Sequence, residues 1–108
     1  MNTGFPYPQS NSGRFPPNDV NRMQASAQAF HQLSRQAELL MNKVENDTHF
    51  AKQLRGAAQV DNKDKVKQLI STTIEARFEV SYTPGGLTIN LSPADVQECS
   101  RLEAFVCW

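Results

Sequence analysis

The stretch Phe78-Glu79-Val80-Ser81-Tyr82-Thr83-Pro84-Gly85-Gly86-Leu87-Thr88-Ile89-Asn90-Leu91 decides the fold. Phe78, Val80 and Tyr82 alternate with Glu79 and Ser81, and Leu87, Ile89 and Leu91 alternate with Thr88 and Asn90. A period of two in two short runs, interrupted by Pro-Gly-Gly, reads as a β-hairpin. Pro84 suits the second position of a tight turn. Gly85 suits the third, where a type II turn requires positive φ. A slip of one residue in either strand would turn its apolar set to water, so the pattern itself specifies the register.

Beyond the hairpin, Ser92-Pro93-Ala94-Asp95 is expected to cap a short helical turn, with Pro93 at its first position. A last strand is expected over about 99–108, where Leu102, Ala104, Val106 and Trp108 alternate against Arg101, Glu103 and Cys107. A continuous helix from Pro93 competes with it, since Val96, Leu102 and Phe105 also stack at helical spacing. The strand is preferred because of Phe105-Val106-Cys107-Trp108, and because a two-stranded hairpin alone is weak.

Upstream of residue 74 the period is 3.6. A helix is expected from about Asp19 to Glu45, capped by Asn18 or Asp19. Its apolar stripe is Val20, Met23, Ala27, Phe30, Leu33, Ala37, Leu40 and Val44. Such a helix is about 40 Å long, more than the remaining chain can cover. Either part of the stripe faces another chain, or the helix breaks and folds back. Asn46-Asp47-Thr48 starts a second helix, about 48–60, with Phe50, Leu54, Ala57 and Ala58 inward. Gly56 within it costs roughly 1 kcal/mol relative to Ala, which points to close packing against a neighbour. Asp61 opens a third helix, with Asp64 three residues later as in a capping box. Its core residues are Val66, Leu69 and Ile70, while Lys63, Lys65 and Lys67 fan around the surface.

Residues 1–18 carry four of the six prolines. Regular structure is not expected there, because Pro removes backbone donors and the tract has little to bury. The tail is read either as a cohesive segment, with Phe5, Tyr7 and Phe15 beside prolines as interaction residues, or as a disordered leader without a role. The expected architecture is α+β: a disordered tail over 1–18, then a single domain over 19–108. In that domain about three helices cover one face of a three-stranded antiparallel meander.

At 108 residues the chain has room for one such domain, with stability on the order of 5 kcal/mol. Lys and Arg number 11, as do Asp and Glu. That balance gives no basic footprint for nucleic acid and offers little repulsion against self-association. No apolar run approaches the ~18 residues of a membrane-spanning helix, so no membrane insertion is expected. No positive-then-apolar signal opens the chain, and an intracellular location is expected.

Chemistry-bearing residues are sparse. Cys99 and Cys107, if both in the last strand, stand about 26 Å apart. An internal disulfide needs Cα atoms about 4.4–6.8 Å apart, so pairing within the chain is excluded on that reading. They are then free residues, intermolecular cross-linkers on oxidation, or reactive nucleophiles. His31 and His49 lie on separate helices, and no ligand spacing suggests a metal or other cofactor. Glu79 and Glu103 fall on the polar side of the sheet, and Glu75 and Glu98 lie near it, where nothing suggests burial suited to acid–base work. Pro84-Gly85-Gly86 lacks the Lys-Ser/Thr of a phosphate loop. No catalytic set can be named, so no enzyme is expected.

An ordered set of motifs carries a resemblance. Phe50-Ala51, Leu54 and Ala57-Ala58-Gln59 are followed by Lys65-Val66, Leu69-Ile70 and Thr83-Pro84-Gly85-Gly86-Leu87-Thr88-Ile89. A Cys, Arg101-Leu102 and Trp108 complete the set. Over about residues 36–108 the chain resembles the small uncharacterised YuzC-like proteins of spore-forming Bacillus species, which also carry an aromatic- and Pro-rich leader. The resemblance implies expression in sporulation and residence in the forespore or spore coat, and it transfers no functional residue. The expected function is a non-enzymatic, sporulation-associated structural or assembly protein acting through self-association or a protein partner. The alternative is a small regulatory domain that binds one specific protein.

Overall fold

The computed structural model describes residues 20–108. The tail with Phe5, Tyr7 and Phe15, and the expected caps Asn18 and Asp19, lie outside the described residues. The element order is α1 (Asn21–Asn46), α2 (Thr48–Gln59), α3 (Lys63–Ser71), β1 (Arg77–Thr83), β2 (Gly86–Ser92) and β3 (Leu102–Cys107). The three strands form one antiparallel sheet in the order β1-β2-β3. The α+β meander expected from the alternating runs is therefore the observed fold.

α1 runs unbroken through 26 residues, so the alternative of a helix folding back is overturned. From its middle onward it buries Leu33 and Leu40 against α2 and the sheet. Over residues 21–30 the buried residue is Ala29, not the expected Met23 or Phe30. The 93–99 loop lies along that Ala29 face, which turns the line Val20-Met23-Ala27-Phe30 to solvent.

Asp47 separates α1 from α2 and caps the second helix, its Oδ1 accepting from the Phe50 N–H at 3.0 Å. Its Oδ2 meets Lys43 Nζ at 2.8 Å. These two contacts, the lysine first, hold the Asp47 carboxyl below its ordinary range. The folded state thus favours the carboxylate. That contribution is complete above the unfolded-state pKa and is lost as pH falls through the depressed value. We expect acid to fray the start of α2 first, and Asp47→Asn to abolish that step. Amide exchange at Phe50 followed through the acid range checks this; an acid profile identical in both proteins contradicts it.

Gly56 does not mark a close approach: a Cβ built there meets nothing within 4 Å. Only the entropic cost of glycine remains. Gly56→Ala is expected to stabilise the protein by roughly 0.5–1 kcal/mol in urea unfolding; a loss of stability would contradict this.

α3 is capped by Asn62, not Asp61: Asn62 Oδ1 accepts from the Lys65 N–H at 3.2 Å. Asp61 instead turns the chain in the left-handed region, with φ 54°. Its Oδ1 accepts a 2.6 Å bond from the Tyr82 hydroxyl, tying the α2–α3 corner to β1. At the other end of the sheet, Gln36 Oε1 on α1 accepts from the backbone N–H groups of Glu75 and Ala76. That bond anchors the entry to β1. Leu87, Ile89 and Leu91 fill the inner face of the central strand, each almost fully buried. Val80 and the side chains of all three helices join them in one core.

The hairpin turn differs from the expected type II. Thr83 pairs with Gly86, leaving Pro84 and Gly85 as the loop, and no glycine among the described residues has positive φ. Thr83 Oγ1 accepts from the Gly85 N–H at 3.1 Å, a local side-chain bond that holds the Gly85 peptide in this alternative turn.

The segment after β2 also departs from the expected helical turn at Ser92. Asp95 organises it, accepting from Gln97 N through Oδ1 and from Glu98 N through its carbonyl. Such local bonding favours a bend over a helix. β3 begins only at Leu102, so Cys99 stands in the preceding loop and the expected strand over 99–101 is corrected.

Candidate functional site

The C-terminal edge of the sheet gathers the unusual features. β3 is an edge strand that pairs only with β2 among the described residues. Leu102, Ala104 and Val106 point inward and are half-buried, while Glu103, Phe105 and Cys107 are exposed on the outer face. Phe105 is 55% exposed. Its ring lies beside Gly86: a Cβ built on that glycine would stand 2.7 Å from Phe105 Cζ and 2.3 Å from the Val106 carbonyl oxygen. An aromatic laid over a strand glycine restores the packing the missing side chain would give.

Trp108 closes the edge against the hairpin turn. Its indole N–H donates to the Thr83 carbonyl at 2.8 Å, and its backbone N–H donates to Gly85 O at 3.4 Å. Behind it lies an apolar cavity of about 130 Å³, lined by Leu40, Met41 and Val44 of α1, Ala51 and Leu54 of α2, and Leu87, Ile89 and Val106 of the sheet. Arg55 and Cys107 also border it, but most of its lining is hydrocarbon, so it supplies chiefly apolar contact.

A second apolar feature is the outward line on α1. Val20 is 46%, Met23 71% and Phe30 38% exposed. Together with the exposed Ala27, these residues lie three and four apart and form one stripe at helical spacing.

Cys99 and Cys107 are both free and exposed, on the loop and on β3 respectively. The premise that one strand separates them does not hold; a loop leads from Cys99 to β3. His31 on α1 and His49 on α2 are exposed, and no three potential metal-ligating residues gather among the described residues. Glu75, Glu79, Glu98 and Glu103 are exposed. No helix among the described residues is long and apolar enough to cross a membrane.

Residues 20–102 match the YuzC spore coat inner layer protein family. The chain belongs to that family. It is a sporulation-associated structural protein, and the spore coat is its place. The match spans α1 to the first residue of β3, so Cys99 lies within it, while Phe105, Cys107 and Trp108 lie beyond it. It begins earlier and ends earlier than the 36–108 expected from the motifs. No curated protein and no solved structure matches the chain.

Sequence reading identified β3 but not what its residues do together. Gly86 after the turn, with Phe105 diagonal to it on β3, is the one sequence signal that points to the exposed ring. The Trp108–Thr83 bond and the cavity arise from tertiary geometry that no local pattern encodes.

Proposed function

We propose that this protein is a non-enzymatic building element of the spore coat inner layer that works by self-association. The observation carrying the reading is the exposed apolar stripe Val20-Met23-Ala27-Phe30 on a continuous helix. An unbroken apolar line held in water is what a protein contact would bury. The balanced formal charge offers little repulsion between copies. The two exposed thiols supply cross-linking sites between chains under oxidation. Phe5, Tyr7 and Phe15 supply further cohesive contacts from the Pro-rich tail.

Size-exclusion chromatography with light scattering tests the reading. Species larger than one chain are expected, with a distribution that reductant shifts and that Met23→Glu with Phe30→Glu reduces. A strict monomer with and without reductant would contradict it.

A further inference from the structure

The β3 edge carries a more specific contact, which deepens and rests on the self-association reading. The bond from Trp108 N–H to Gly85 O sets the parity of the β2–β3 ladder. Alternate residues of an antiparallel strand turn their backbone groups the same way. Leu102, Ala104 and Val106 therefore bond to β2, while Glu103, Phe105 and Cys107 aim their N–H and C=O groups off the sheet. Edge strands are ordinarily blunted by Pro, Lys or a bulge. β3 has none of these; its one charged residue is Glu103, and Phe105 stands at its centre. On β1, the other edge, Arg77 and Glu79 occupy the polar face.

We propose that two copies of this chain pair antiparallel through β3, with Phe105 opposite the partner's Phe105, making one six-stranded sheet. This register sets the two Phe105 residues directly opposite on the outer face, where rings swung off Gly86 form a favourable cross-strand pair. It places Glu103 opposite the partner's Cys107, with no carboxylate facing another. Leu102 falls opposite the partner's Trp108, which continues the apolar inner face. A register centred on Ala104 sets each Glu103 against the partner's ring and brings the two carboxylates diagonally together. One centred on Glu103 sets them face to face. The occupant is a second copy because the strand complements itself, as a two-fold interface requires. The edge beyond Leu102 lies outside the matched family residues.

Cross-linking in a Cys99→Ser background tests the register. Adding Glu103→Cys places a thiol opposite the partner's Cys107, at a spacing of about 5.5 Å between Cα atoms that admits a disulfide. Mild oxidation is expected to convert the bulk of this variant to a disulfide-linked dimer. Cys99→Ser alone is expected to give only a trace, because the two Cys107 residues lie four positions out of register, roughly 13 Å apart along the strands. Glu103→Pro removes an outward N–H without touching the β2 ladder, and Phe105→Glu sets like charges across the two-fold axis. Both are expected to lower the light-scattering mass while circular dichroism stays that of the parent. A parent that associates, but whose Glu103→Cys variant does not cross-link, overturns the β3 pairing and leaves self-association standing. A parent that is strictly monomeric overturns both.

Discussion

Leu40→Ala is expected to cost roughly 2–5 kcal/mol, a loss comparable to the whole stability of a domain this small. Leu40 is 1% exposed and lines the apolar cavity of about 130 Å³ between the helices and the β2–β3 half of the sheet. Truncation removes apolar burial and enlarges this apolar cavity. Its walls, Leu54 on α2 and Leu87 and Ile89 on β2, are held by separate elements. They cannot all close on the void without breaking the ladder or the α1–α2 contact. Urea unfolding is expected to show the midpoint collapse. The melting temperature should fall on the order of 10 °C or more. A cost below about 1 kcal/mol would mean that the helices collapse onto the sheet, contrary to walls held apart by separate elements.

Gly86→Ala is expected to destabilise by roughly 1–3 kcal/mol, while Gly85→Ala next to it changes stability by under about 1 kcal/mol. A Cβ on Gly86 meets the Val106 carbonyl at 2.3 Å, Phe105 Cζ at 2.7 Å and Cys107 Cα at 3.0 Å. The ring can swing away, but the carbonyl and Cα belong to the paired strand, so the ladder itself must shift. At Gly85 the nearest atom is Thr83 Oγ1 at 3.6 Å and φ is not positive, so alanine meets neither clash nor strain. Denaturant unfolding of the two variants separates the cases. Equal costs at both positions would contradict the close approach of β3 to Gly86.

The two residues also mark what the sequence makes legible. The alternation of Phe78, Val80 and Tyr82 with Leu87, Ile89 and Leu91 specified strands and register, because burial on one face leaves only one pairing that works. The pattern also placed the inward faces of α2 and α3. It misread Gly56 and Gly85, because a glycine announces freedom without saying whether φ or proximity uses it. It misplaced the α3 cap, because Asp61 and Asn62 are both good caps and the choice depends on Tyr82, distant in sequence. On α1 the apolar period ran unchanged from Val20 to Val44, while the body beneath it buries only part of that line. The exposed stripe thus follows from the size of the fold, which periodicity does not report. The β3 edge was legible as a strand, but its outward bonding parity needed the Trp108–Gly85 contact.

Hydrogen exchange along β3, measured as a function of protein concentration, tests the assembling edge most directly. At high dilution the amides of Leu102, Ala104 and Val106 are expected to be protected and those of Glu103, Phe105 and Cys107 to exchange freely. As concentration rises, protection should spread to the second set. Outward amides that stay unprotected while larger species form, or an absence of the alternation at high dilution, would contradict the account.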